Sequence, residues 1–334
     1  MLAEPARKRV VGPKVQEAVD GGVTSVLDAL VPHSEAVPEL DSLGLSDEEV
    51  QAACAGHGVD GLVERIHGRG PTDAHLHVIA WHGSALADIG CPATQPQRRE
   101  LLLDCALFNL AVALTDSLVD DEAPTGARAA RALAPAKLAR RLRAPSDPEA
   151  AIAGETGDQL DAFFALWDAL LARLGQRFAA EPERLEQIAA MLARMHHSEF
   201  DAGADRLPAK VLPIEFLGLV LAAGAGREEA DALAALYREL GELVGLVDDW
   251  HDLLVDMRRM HANQLVMLIA ERTPANRLRY LGRSLRRVAF PGRLADELVT
   301  GLRAHLRGAI ERAGELSPEA RLKAAAYAKG LLQS

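Results

Sequence analysis

"ELLLDCALFNLAVALTDSLVDDE", residues 100–122, runs an apolar segment into Asp116, Asp120, Asp121 and Glu122. Its apolar residues recur at helical spacing, which predicts a long buried helix. The C-terminal end of a helix carries partial negative charge, so carboxylates there are disfavoured unless a cation joins them. The approach, residues 100–115, holds almost nothing that could neutralise them. The stretch therefore implies a cation that the local sequence lacks, and a metal ion is the natural candidate.

Outward from this segment the same periodicity continues almost everywhere. No run of β-branched and aromatic residues alternates with period two, so the reading is all-α. Helices are predicted near 14–30, 46–66, 73–88, 96–120, 126–142, 157–178, 182–203, 210–224, 227–257, 262–271, 275–288, 291–313 and 316–332. Pro and Gly punctuate them at 68–71, 91–96, 143–149 and 290–292. Residues 1–45 have weak periodicity and read as an N-terminal extension. Residues 46–334 read as a single all-α domain, with no fixed-period repeat.

Composition limits the function classes. Forty-eight acids against 37 Lys plus Arg give a formal net charge of −11. That argues against nucleic acid as a partner, since its binders carry basic surfaces. An anionic ligand would need a local device to overcome this field, such as bound metal. Cys54, Cys91 and Cys105 are odd in number and outside any CxxC pattern, so they read as reduced thiols in a cytoplasmic protein. The N-terminus has no apolar run of the kind a signal peptide needs. The most apolar window, 211–226, contains Pro213 and Glu215 and is too short for a transmembrane segment.

A second acidic cluster lies in "GLVDDWHDLLVDMRR", residues 245–259. Asp248, Asp252 and Asp256 stand at i, i+4 and i+8, one stripe along a helix, with Asp249 beside it. Like charges at this spacing repel by a few tenths of a kcal/mol each. Read alone, the cluster is as easily a solvated face. Two clusters of the same build, each after an apolar helix, point to Mg²⁺, which takes carboxylates, waters and substrate phosphates. Facing carboxylates of this kind suit a diphosphate, whose departure the metal would stabilise.

Two rival patterns carry less. "DAHLHV", residues 73–78, has the HxH of barrel metal-hydrolases, but the alternating strands and helices of that fold are missing. His251 with Asp252, and His196 with His197, could serve an all-α phosphohydrolase of the HD type. His251, however, sits inside a stripe that already accounts for its helix.

Residues 235–256, "ALYRELGELVGLVDDWHDLLVD", followed by "HANQLVMLI" at 261–269, resemble the class I trans-isoprenoid synthases of the polyprenyl-diphosphate-synthase type. They look like that family's helix ending in DDxxD, with its loop and next helix. "DSLVD", 116–120, corresponds to the first aspartate-rich motif, with Ser117 at its usual second aspartate. It is also similar to the DTxxDD form of squalene synthases. The resemblance spans roughly residues 96–330. It implies an isoprenoid-synthase (terpene-synthase) helical bundle around a deep apolar pocket, often homodimeric. It implies Mg²⁺ held by Asp116, Asp120 and Asp121 on one side, and by Asp248, Asp249, Asp252 and Asp256 on the other. Asp116, Asp120, Asp248 and Asp252 would carry catalysis by gripping a prenyl diphosphate substrate.

Departures from the family shape the expected activity. Its basic isopentenyl-diphosphate site is represented only by "RIHGRG" at 65–70 and by isolated Arg128 and Arg131. The helix read as 214–226 has neither the Lys nor the Thr of the family's KT. This favours a prenyltransferase with an unusual second, acceptor substrate. A class I terpene cyclase using the same motifs is the alternative. Seven Phe, three Trp and three Tyr leave few rings to steer cations, with Trp81, Phe108, Phe216 and Trp250 as candidates. A non-catalytic subunit of a heteromeric synthase would have no need of both acidic clusters.

Overall fold

A computed structural model describes residues 13–32, 35–60, 62, 73–121, 123–152, 160–200, 207–259, 263, 265 and 292–333. Among the described residues there are twelve α-helices and no strand, as the periodicity predicts. In chain order they are α1 (Pro13–Leu30), α2 (Asp47–Gly56), α3 (Asp73–Gly90), α4 (Arg98–Asp121), α5 (Ala123–Ala132) and α6 (Pro135–Arg143). There follow α7 (Asp161–Arg177), α8 (Pro182–Phe200), α9 (Leu207–Leu221), α10 (Arg227–Arg259), α11 (Gly292–Leu316) and α12 (Pro318–Gln333). None of these helices is long and apolar enough to cross a membrane. The helices expected at 262–271 and 275–288 lie outside the described residues, apart from Asn263 and Leu265.

Two local departures have clear causes. The helix expected over 126–142 is two helices, because Pro135 lacks an N–H and pushes the residue before it out of helical conformation. Ala134 accordingly has φ −53° and ψ 137°, and Pro135 opens α6, where its missing donor costs nothing. The helix expected over 46–66 begins with a capping box, in which Ser46 and Glu49 each satisfy the other's backbone N–H. It ends at Gly56. Gly58, at φ +65°, takes the left-handed conformation that favours glycine, and Val59 N–H closes back onto the Cys54 carbonyl.

The chain divides into two compact units. One comprises residues 41–204 and 215–234. Within it α4 packs against α3, α5, α7 and α8, burying Leu101, Leu102, Leu107, Phe108, Leu110 and Leu114. The α3–α4 crossing is close because Gly83 has no side chain: a Cβ there would stand 2.6 Å from both the Asn109 Cβ and the Cys105 carbonyl. At the open end of this pair, Arg98 Nη2 donates to Asp88 at 2.6 Å, and Asp88 accepts the Gly44 N–H at 3.1 Å. Asp104, fully buried on α4, accepts from Arg173 Nε at 2.6 Å and Arg177 Nε at 2.9 Å, both on α7.

The other unit comprises residues 1–40, 205–214 and 235–334. Here α1 packs on α11 and α12, burying Val19, Val23 and Val26. Arg321 of α12 makes a two-point contact with Glu35 at 3.0 and 2.8 Å. The C-terminal part of α10 meets α9 where Gly241 passes Val211, and meets α11 where Gly301 passes Leu246. His305 pairs with Glu239 at 3.1 Å across the same α10–α11 contact.

Asp104→Ala should destabilise the chain by about 3–5 kcal/mol, the usual cost of leaving buried cations without their partner. Chemical denaturation would show it as a lower midpoint. His82 supplies a pH test. Burial, and secondarily the charge of His75, lower its pKa to about 4. As pH falls through 6.5 the unfolded state takes a proton that the folded state refuses until about pH 4. Stability should therefore be full above pH 6.5 and fall progressively towards pH 4. His82→Asn should flatten that part of the denaturation-against-pH profile.

Candidate metal centre

Asp116 projects from the last turns of α4, in the unit of residues 41–204 and 215–234, and is exposed. The turn before it is anchored by Thr115, whose hydroxyl donates to the Ala111 carbonyl at 2.8 Å and accepts from Trp167 Nε1 at 3.3 Å. Helix α4 continues through Asp120 and Asp121, with no basic residue in its last turn. The side chains of Asp120 and Asp121 lie outside the described residues, as does Glu122.

The second cluster belongs to the other unit and has a feature that local reading missed. Lys210, in the first turn of α9, reaches α10 and donates to two carboxylates at once. Its Nζ lies 2.7 Å from Asp248 Oδ2 and 2.6 Å from Asp249 Oδ1. Burial alone would lower the lysine's pKa. The attraction of Asp248 and the hydrogen bonds to both carboxylates more than reverse this and hold it well above the ordinary value. Asn263 donates from Nδ2 to the Asp249 backbone carbonyl at 2.7 Å, so a residue beyond α10 is fixed to the same turn.

The expected ligands therefore do not share one environment. The Asp248 side chain is 48% exposed, whereas that of Asp249 is 0% exposed. Asp252 and Asp256 follow on α10 in helical register, about 6 Å apart along the axis per four residues. Their side chains, and that of His251, lie outside the described residues. Among the described residues no group of three or more His, Cys, Asp or Glu converges as a metal cage.

The donor chemistry nevertheless fits a hard cation in part. Asp248 and Asp249 already converge on one positive charge, and Asp248 keeps an open solvent side suited to an ion that retains waters. Lys210 was detectable in the sequence. It is the one Lys or Arg between Arg206 and Arg227.

Several of the other candidates have their side chains committed elsewhere. The HxH of residues 73–78 lies on helix α3, with His77 Nε2 3.2 Å from Asp60 Oδ1. His196 is 3.0 Å from the Ala130 carbonyl and tilts against Phe200. Phe108 stacks on Phe216 with centroids 4.0 Å apart and sets its edge against Trp167. Trp81 donates its indole N–H to the Leu43 carbonyl. In comparisons with protein-family models, curated proteins and solved structures, nothing matches this chain.

Proposed function

We propose that the chain is a Mg²⁺-dependent isoprenoid synthase that ionises an allylic prenyl diphosphate, acting as a prenyltransferase with an unusual acceptor. The observation that carries this reading is the convergence of Asp248 and Asp249 on a single cation, at the start of an acidic stripe on an all-helical scaffold. A carboxylate pair that takes one charge at hydrogen-bond distance is a pair arranged for cations.

In this reading Asp116, Asp120 and Asp121 are one set of Mg²⁺ ligands, and Asp248, Asp252 and Asp256 are another. Mg²⁺, when bound, supplies the charge that stabilises diphosphate as it leaves. Asp249, fully buried, orients the turn that carries Asp248. A deep apolar pocket of the kind such synthases have would keep water from an allylic cation. The bundle of the isoprenoid-synthase type, the homodimer and the cytoplasmic setting belong to the same proposal. The last is supported by three buried cysteines, none of them in a disulfide.

Transfer is favoured over cyclisation because two of the few candidate rings, Phe108 and Phe216, are already used in packing on each other. A ring stabilises a cation through its face, and Phe108 and Phe216 stack face to face. A transferase needs only a second nucleophile held about 3–3.5 Å from the reacting carbon. The cyclase remains the second reading on the strength of the shared acidic motifs.

Asp116→Ala and Asp248→Ala should each abolish diphosphate release at saturating Mg²⁺ while far-ultraviolet circular dichroism stays unchanged. Near-wild-type turnover in both would move the diphosphate site elsewhere. With geranyl, farnesyl or geranylgeranyl diphosphate alone, little hydrocarbon should form, and turnover should rise sharply on addition of the correct acceptor. Efficient conversion of one allylic diphosphate to a cyclic product without acceptor would establish the cyclase instead.

A further inference from the structure

Residues 123–146, which form α5, α6 and the exit from α6, hold six Lys and Arg and no acid, in a chain whose formal net charge is −11. One of the six is structural. Arg141 is buried and donates to the Pro145 carbonyl at 2.8 Å and to Asp168 at 2.7 Å. With buried Leu138 and Leu142 it fixes the inner side of α6 against α7 and α8. The other cations of this helix, Lys137, Arg140 and Arg143, are exposed and fall within about 120° of its outer arc. Arg131 of α5 and Arg194 of α8 are exposed as well. The three helices are tied together. His196 of α8 lies 3.0 Å from the Ala130 carbonyl of α5, and Arg143 of α6 donates to Glu186 of α8 at 2.9 and 2.8 Å. Among the described residues no carboxylate pairs with Arg131, Lys137 or Arg194. Arg140 stands 3.6 and 3.7 Å from Asp147 and Glu149, and both members of the Arg143–Glu186 pair are more than half exposed. Surface pairs of this kind contribute little and are readily given up.

We infer that this outer face of α5, α6 and α8 is a docking surface for an anionic lipid bilayer. The inference is independent of the isoprenoid-synthase reading. Charge complementarity carries it, and the make-up of the face selects the partner. The exposed positions of α6 are Ala136 and the three cations, its leucines being turned inward. The helix therefore offers no apolar core of the kind a stable protein interface is built around. A bilayer surface needs none, because a Lys or Arg brought near anionic headgroups gains from the surface potential alone. Long side chains reach the headgroups while the helix stays packed, so contact is peripheral and nothing inserts. The acidic excess lies in the rest of the chain, which an anionic surface repels, and this confines contact to one orientation. Acids farther than about 8–10 Å from the face are screened at physiological salt and do not cancel the attraction.

The test is co-sedimentation of the full-length chain with vesicles of phosphatidylcholine containing about one-third phosphatidylserine, at about 0.1 M NaCl. The chain should bind these vesicles, ignore vesicles of phosphatidylcholine alone, and be released at about 0.5 M NaCl. Lys137→Gln should lower the partition coefficient about fivefold, the scale for one cation near an anionic surface. Arg131→Gln/Lys137→Gln/Arg140→Gln should lower it about a hundredfold. All three positions are exposed, so circular dichroism and thermal unfolding should match the wild type. Arg303→Gln/Arg307→Gln, which removes two exposed cations of α11, should leave binding unchanged. A wild type that ignores the anionic vesicles, or binds neutral ones equally, overturns the inference. So does a triple variant that binds as the wild type does, or an α11 variant that loses as much as the triple one. Tighter binding to duplex DNA than to vesicles of the same charge concentration would make nucleic acid the partner. Salt-sensitive self-association that the triple variant loses, without vesicle binding, would make it a second copy of this chain. Either result overturns the bilayer.

Discussion

A carboxylate removed from water must find a cation, and each buried acid among the described residues does. Among the described residues the buried carboxylates are Asp88, Asp104 and Asp249. Asp88 meets Arg98, Asp104 meets Arg173 and Arg177, and Asp249 meets Lys210. These pairs sit at helix crossings: α3 with α4, α4 with α7, α9 with α10. Their desolvation is expensive, so each is weak evidence for net stability but a strong constraint on register. Sliding α7 by one residue along α4 would leave Asp104 charged and alone, at a cost comparable to a large share of the stability of an ordinary domain.

That constraint also limits how far local sequence can be read. The helices were legible because the apolar spacing that buries one face of a helix is written within each segment. Pro135 marked a break, though the residues on both sides share a helical pattern that conceals it. The partners of the acids were not legible, because ion pairs in a helical bundle join segments far apart in the chain. Asp104 stands in the same apolar approach that looked without a neutralising group, yet its cations come from a helix about seventy residues on. Asp249 draws its cation from 39 residues earlier. An acid on an apolar helix therefore does not by itself imply a missing metal.

Asp116 and Asp248 retain solvent access, so they can exchange partners without breaking the core. The all-α class and the position of both aspartates on apolar helices follow from pattern alone. The division of Asp248 and Asp249 into a half-exposed and a fully buried carboxylate does not. Asp248 and Asp249 are neighbours in the sequence, separated by about 100° of helical rotation. That rotation places one at the water and the other inside.

Helix α10 shows why such a site can exist at all. An acid every fourth residue weakens an isolated helix, and nothing in residues 248–256 offers a compensating base at the matching spacing. The turns before the stripe offset the deficit. Leu236, Tyr237, Leu240, Leu243, Leu246 and Val247 are all buried, at roughly 1.5–3 kcal/mol for a fully buried large apolar side chain before entropy is counted. Once those turns are fixed, each further residue extends an existing helix and avoids the cost of nucleation. Lys210 then joins where the half-exposed Asp248 stands between buried Val247 and buried Asp249.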